Sequence, residues 1–319
     1  MATKRIVNLP TVSGWNGTEA GAFAAHTITI DLPVGPRYHE VWIEANGGAA
    51  KKVLIDLFGE IRVKVNGRVQ RVFTAAELNK LNVLNGAQYV CLGGLTNATL
   101  SALSLFFAEP WRENEITQDG LAWATGDIST FQIEIALTAY SGAAAGLTKP
   151  VARATIDNSL VDAGNGQKVD APMLAIVKFF NVQIPVASGW NDFTQLPKRD
   201  FYQSLHVFDA NATEFEVKVD NNIIRQDTVA HNTAWLTAHG MLPNPSKTAT
   251  PATAAADMPN STDSTQRGAV DIVFDHDDRM GSSLPMVFNG RRVADFNLRL
   301  NTTSTGTVKC IYQLVGAPE

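Results

Sequence analysis

Val7-Asn8-Leu9-Pro10-Thr11-Val12-Ser13-Gly14-Trp15-Asn16 lines up without gaps on Val182-Gln183-Ile184-Pro185-Val186-Ala187-Ser188-Gly189-Trp190-Asn191, with six of ten positions identical. Self-similarity of this kind marks a duplicated unit, and it governs how the remaining chain is read. Later blocks keep the same order. Arg37 to Asn46 matches Tyr202 to Asn211, with Tyr38 opposite Gln203, or opposite Tyr202 if one gap is allowed. Glu60 to Gly67 matches Glu214 to Asn221, Leu103 to Arg112 matches Val270 to Arg279, and Phe131 to Ile135 matches Phe296 to Leu300. Lys149 to Arg153 can be laid on Lys309 to Gln313. The anchors are collinear while the loops between them change length, so the chain reads as a tandem duplication of one domain.

Within each block apolar and polar residues alternate, as Val63 and Val65 do with Arg62 and Lys64, and Ile133 and Ile135 with Gln132 and Glu134. That period of two is the pattern of half-buried strands. Gly, Asn, Pro and Thr clusters separate the strands without regularly interleaved helices, which predicts antiparallel β-sandwiches rather than parallel βαβ units. The expected fold is therefore all-β, with one sandwich over 1–157, a linker over 158–175 and a second sandwich over 176–319. One short helix is predicted per half. Thr74-Ala75-Ala76-Glu77 forms a capping box ahead of Leu78 to Leu81, and a counterpart is expected near Asn232 to His239. Pro243 to Gly268, rich in Pro, Ala, Thr and Ser, reads as a surface loop.

Composition narrows the function. Of 319 residues 45% are hydrophobic and only 18% charged, below the roughly 25% usual for soluble domains, so much of the outer surface is expected to meet other protein. A net charge of −5 supplies no overall positive field for phosphates, which argues against nucleic-acid binding as the main task. Asn8, Pro10 and Ser13 interrupt the N-terminus before any signal-peptide core, and no apolar run approaches the roughly 18 residues of a membrane span. The expectation is a protein that is soluble when made. Cys91 and Cys310 are expected as reduced, buried thiols.

Motifs for chemistry are sparse. The six histidines form no H-E-x-x-H pair, and nucleophile elbow, phosphate loop and dinucleotide fingerprint are all missing. Glu40, Glu44, Glu134 and Asp209 offer carboxylates, but nothing in the sequence fixes a separation suited to glycoside hydrolysis. Asp275-His276-Asp277-Asp278 is either a solvated turn or a site where Asp275, Asp277 and Asp278 meet Ca²⁺ through hard oxygen ligands. Trp15 and Trp190, each following a glycine (Gly14 and Gly189), read as rings packed over the edge of a core, the alternative being sugar-stacking platforms in a tandem carbohydrate-binding protein.

The paired V-x-[LI]-P-x-x-S-G-W-N openings, the run Phe106-Phe107-Ala108-Glu109-Pro110-Trp111-Arg112 and the Thr74-x-x-Glu77-Leu78-Asn79-x-Leu81-Asn82 helix carry a family likeness. Together they resemble the double jelly-roll major capsid proteins of tailless icosahedral bacteriophages, nearest in look to the corticovirus coat protein and its finnlakevirus relatives. The resemblance covers nearly the whole chain. It implies two eight-stranded jelly rolls, a structural rather than enzymatic role, and a place in the virion capsid after assembly in the host cytoplasm. Three chains would give six similar sandwiches, a pseudo-hexameric trimer. The implied partners are further copies of the chain, penton and minor capsid proteins, and an internal lipid membrane, with no direct nucleic-acid contact. No cofactor is required; the family's divalent-ion sites carry over to Asp275, Asp277 and Asp278. Four expectations follow: a homotrimer, an outward Pro243 to Gly268 loop, structurally equivalent Trp15 and Trp190, and an inner N-terminal arm whose Lys4 and Arg5 approach anionic headgroups.

Overall fold

Strand periodicity in the first half resolves into β1 (Arg5–Asn8), β2 (His26–Asp31), β3 (Arg37–Asn46), β4 (Phe58–Val65), β5 (Arg68–Thr74), β6 (Leu100–Phe106), β7 (Trp123–Ala124), β8 (Phe131–Leu137) and β9 (Val151–Asp157). Helix α1 (Ala75–Leu84) follows β5 and α2 (Glu115–Asp119) follows β6. The computed structural model describes residues 3–16, 24–46, 57–86, 100–139, 149–162, 164, 167–241, 268–275, 283–288 and 290–319. One sheet runs β1-β9-β3-β6 with β7 added to β3, and the facing strands run β2-β8-β4-β5. This is the four-on-four arrangement of a jelly roll.

The second half repeats it with β12 (Ile176–Val186), β13 (Gly189–Phe193), β14 (Phe201–Phe208), β15 (Ala212–Val219), β16 (Asn222–Thr228), β17 (Val270–Val273), β18 (Leu284–Pro285), β21 (Phe296–Thr302) and β22 (Gly306–Gly316). Helix α3 (Val229–Ala238) follows β16, as α1 follows β5. The sheets run β12-β22-β14-β17, with β18 on β14, and β13-β21-β15-β16. A hairpin of β19 (Val287–Phe288) and β20 (Arg291–Arg292) completes this half. Across the halves β5 and β12 pair in parallel, Arg71 opposite Phe179, so that two four-stranded layers and β18 merge into a single nine-stranded sheet.

Local chemistry recurs at matched positions. Tyr38 and Tyr202 each donate a hydroxyl proton to the carbonyl five residues earlier, Pro33 and Pro197, both at 2.6 Å. Each tyrosine precedes a bulge against the last strand of its half. That identity selects the gapped alignment, with Tyr38 on Tyr202. The β4–β5 turn holds Asn66 and Gly67 at φ 49° and 78°, the β15–β16 turn Asp220 and Asn221 at 47° and 63°. Consecutive left-handed residues are what a tight type I′ hairpin needs. Asn66 Oδ1 accepts from the amides of Ser129 and Thr130, and Asp220 Oδ1 from those of Ala294 and Asp295. Thr74 and Thr228 cap their helices by accepting from Glu77 N and His231 N. Only α1 has the reciprocal bond, from Thr74 N to Glu77 Oε2 at 2.8 Å.

Pairing corrects two sequence matches. Ile6 lies opposite Thr155, which lies opposite Glu40; in the second sandwich that rank belongs to Phe179, opposite Gln313 and then Ser204. Ile6 therefore corresponds to Phe179, not to Asn181 as the gapless alignment has it. The same shift places Arg153, opposite Trp42, on Ile311, opposite His206. A slip of two residues keeps every side chain on its face, so apolar patterning cannot detect it. The linker expected over 158–175 is also different. It folds as a hairpin of β10 (Leu160–Asp162) and β11 (Lys168–Asp170) against the first sandwich, where Gly126 N donates to Ala171 O and Met173 N to Asp127 Oδ1. Met173 is buried in the first core.

Candidate functional site

The chemistry concentrates where the sandwiches meet. Arg71 reaches the junction because its side chain shares a face of β5 with Phe73, toward the core. It is buried, donating Nε to Val177 O at 2.7 Å and Nη1 to Phe106 O at 2.5 Å. Its guanidinium lies 4.7 Å from the Trp123 ring centroid and 5.1 Å from those of Phe107 and Phe179. Burial pushes its pKa down to about 9, so it remains a cation at neutral pH. Stacking on three rings stands in for part of its lost hydration.

Beside it, Arg112 bridges the halves. It pairs with Glu109 at 2.7 Å and with Asp275 of the second sandwich at 2.5 Å, while Gln203 Nε2 donates to Glu109 Oε1 at 3.3 Å. Burial opposes the charge on Arg112, but the two carboxylates outweigh it and raise its pKa. Burial raises that of Glu109. Lys309 of β22 meets Glu77 of α1 at 2.7 Å, and Glu319 N donates to Gln70 Oε1 at 3.0 Å. A cavity of about 350 Å³ lies in this junction, lined among others by Arg71, Glu109, Trp111, Ser204 and Gln313.

Ser204 Oγ stands 2.7 Å from His206 Nε2, and His206 Nδ1 stands 2.7 Å from Asp271 Oδ1. The order of atoms is that of a hydrolytic triad. All three residues are buried, and the Ser204 hydroxyl also donates to Gln313 Oε1 at 2.9 Å. This chain of bonds knits β14 to β17 and β22 and offers no exposed nucleophile.

The residues singled out by sequence scatter. Asp275 is committed to Arg112, and Asp277 and Asp278 lie outside the described residues, so the Ca²⁺ reading rests on positions not seen here. Among the described residues no group of three His, Cys, Asp or Glu is placed to hold a metal ion. Trp15 and Trp190 are not equivalent. Trp190 is in β13 opposite Asn301, a rank that Thr27 fills in the first sandwich opposite Ala136. Trp15 instead precedes β2, half-buried against the first core and edge-on to His26. Trp190 is 41% exposed, with the Arg299 guanidinium 5.2 Å from its ring centroid. The two glycines do share a left-handed backbone, φ 77° at Gly14 and 108° at Gly189; at Gly14 a Cβ would also strike Thr27 O at 2.5 Å. Glu40, Glu44, Glu134 and Asp209 are spread over separate pairs with Ser104, Arg153, Lys64 and Ser304. Cys310 is buried, which pushes its thiol up to about 12, and Cys91 lies outside the described residues. Lys4 pairs with Asp119 at 2.7 Å and Arg5 Nη2 donates to Asn158 Oδ1 at 3.4 Å. Of the stretch Pro243 to Gly268, residues 243–267 also lie outside the described residues.

Sequence reasoning passed over Arg71 and Arg112. For Arg71 a signal existed: a cation two residues before Phe73, on the apolar side of an alternating strand.

Comparison with known proteins supplies the wider frame. The family profile described as viral coat protein P2 N-terminal domain matches residues 18–154, and that described as viral coat protein P2 C-terminal domain matches residues 176–251. No curated protein matches. Among solved structures, the major capsid protein P2 from bacteriophage PM2 is 17% identical with a TM-score of 0.72, over 99% of this chain and 98% of that one. A chain of Sulfolobus turreted icosahedral virus is 13% identical with a TM-score of 0.61, over 99% and 91%. One of the PBCV-1 virus capsid is 10% identical with a TM-score of 0.59, over 99% and 94%. At such identities these structures show the shared fold.

Proposed function

The chain belongs to the viral coat protein P2 family, a double jelly-roll major capsid protein of the virion shell, and on that premise we propose that it assembles as a homotrimer with pseudo-hexagonal outline. One observation carries the reading: two sandwiches of the same strand order are locked into one body through the shared nine-stranded sheet. Three such chains present six like sandwiches, and a head-to-tail contact repeated by a closed threefold operator fills a six-neighbour position in a shell. The sparse charge of the chain fits broad lateral burial.

Its neighbours in this reading are other capsomers, penton and minor capsid proteins, and a lipid layer beneath the N-terminal arm. The same reading expects Pro243 to Gly268 on the outer side, since a Pro- and Thr-rich stretch packs poorly between neighbours. Lys4 and Arg5 contact Asp119 and Asn158, so part of the arm's charge is already used within the chain. Light scattering on purified protein should return three times the 34.4 kDa chain mass, and electron microscopy of assembled shells should place the loop outside and the arm inside. A persistent 34.4 kDa species at micromolar concentration would overturn the trimer.

A further inference from the structure

Sheet edges distinguish the two sandwiches. In the first, β1 and β6 bound one sheet while β2 and β5 bound the facing strands; in the second, β12, β17, β13 and β16 hold the same places. Among the described residues β2, β6, β13 and β17 lack a strand on their outer side in both halves alike. The other two kinds of edge differ. β5 and β12 pair with each other, which leaves their counterparts β16 and β1 without such a neighbour. We infer that β16 of one chain receives β1 and the β10–β11 hairpin of a second copy, in the relation that β5 bears to β12 within the chain. This rests on the trimer reading and names the surface that closes it.

Three contacts at the internal junction serve as the template. Phe179 covers the Arg71 guanidinium, Glu319 bonds to Gln70, and Lys309 pairs with Glu77. On the receiving side the matching residues are Arg225, Ile224 and His231, read from the equivalent bulges and helix caps. On the entering side pairing rank gives Ile6 for Phe179 and Val151 for Lys309. Val161 answers to Glu319, because each lies four residues past a matched position, Asp157 and Val315. These entering residues are aliphatic and in water: Ile6 is 74% exposed, Val151 47% and Val161 39%. Ile224, which would meet Val161, is 43% exposed.

Arg225 repeats the inner half of the Arg71 arrangement. Its Nη1 donates to Val273 O, the counterpart of Phe106 O, and Nη2 donates to Asn232 Oδ1 at 2.7 Å, with the guanidinium 4.9 Å from the Trp235 ring centroid. Its Nη1 and Nη2 are thus bonded within the chain, and Ile6 would lie over the guanidinium as Phe179 lies over that of Arg71. Where the internal junction uses Lys309, Glu319 and Phe179, the outer one uses aliphatic chains. An edge strand bearing exposed isoleucines is an open invitation to another chain unless something covers it. Because β1 and β16 are different surfaces, the contact is heterologous, and with the threefold rotation of the trimer reading it closes into a ring.

The test uses the full chain. Ile224→Asp should keep the native circular dichroism and reduce the mass in light scattering threefold, to 34.4 kDa. Val161→Cys combined with Ile224→Cys should give disulfide-linked ladders ending at three chains on oxidation, a readout that survives if the aspartate variant misfolds. A trimeric Ile224→Asp protein alongside a trimeric parent would overturn this interface while leaving the trimer intact. Disulfide dimers from Ile224→Cys alone would overturn it too, since β16 would then face itself. A monomeric parent sinks the trimer reading and this inference with it.

Discussion

At the corner where β3 meets β9 the first sandwich places Arg37, His39 and Asp157; at the same ranks of β14 and β22 the second places Phe201, Gln203 and Val315. In the first, Asp157 accepts from Arg37 Nη2 at 2.6 Å and lies 3.0 Å from His39 Nε2. In the second, an aromatic ring simply faces an aliphatic chain across the ladder. Two such different chemistries occupy one backbone corner. The fold is held instead by what both halves share: the tyrosine bonded to the carbonyl five residues back, the left-handed β-turn with its amide-accepting side chain, and the threonine cap.

The comparison breaks most severely at the junction. Arg112→Ala would leave Glu109 and Asp275 buried without their cation, at a cost of about 3–5 kcal/mol, the range for removing one partner of a buried pair. Calorimetry should then show the single transition splitting, with the sandwiches melting apart.

Acid should separate the two corners next. Burial works against the Asp157 carboxylate, but hydrogen bonds from Arg37 and His39 outweigh it and hold its pKa below the usual 3.8. Its contribution is therefore present above that ordinary value and is lost as pH falls through the lowered one. Burial also depresses His39 below 6.5, so the unfolded chain binds that proton first and stability begins to fall as pH drops through the ordinary histidine range. Both signs make this corner acid-sensitive, whereas Phe201, Gln203 and Val315 at the matching ranks carry no titrating group. Melting temperature followed against pH should fall less steeply at the acid end in Asp157→Asn than in the parent, and equal slopes would refute the assignment.

The smallest effect sharpens the likeness. Thr74→Ala and Thr228→Ala should each cost about 1 kcal/mol, because each removes one side-chain acceptor, Oγ1, from a helix N-terminus while the backbone bond from residue 74 N to Glu77 Oε2 survives. Urea titrations of the two variants decide it, and clearly unequal losses would contradict the geometry.

How much of this was legible in sequence depends on what each feature leaves behind. Alternation exposed the strands because a sheet with one buried face must repeat every two residues. The Thr74–Glu77 box was readable because both partners lie within one helical turn. The register of β1 was not, since a two-residue slip costs the apolar pattern nothing. Ser-Gly-Trp-Asn recurs in sequence yet precedes β2 in one half and enters β13 in the other, because residues 17–25 intervene only in the first. The junction stayed hidden for a different reason: β5 and β12 are over a hundred residues apart, and only tertiary packing tells that Arg71 is covered by Phe179.

The nine-stranded sheet has a consequence for the entropy of building a shell. A ring of six separate sandwiches would need five associations, each surrendering translational and rotational freedom worth an estimated 4–15 kcal/mol at molar reference. Joined pairwise through β5 and β12, the same ring closes in two. Every second contact is thus made during folding, when the chain itself holds the partners together, and only the alternate contacts depend on concentration. Assembly can then be driven by surfaces weak enough to dissociate and correct a misplaced neighbour, while the geometry of the ring is already half decided within each molecule.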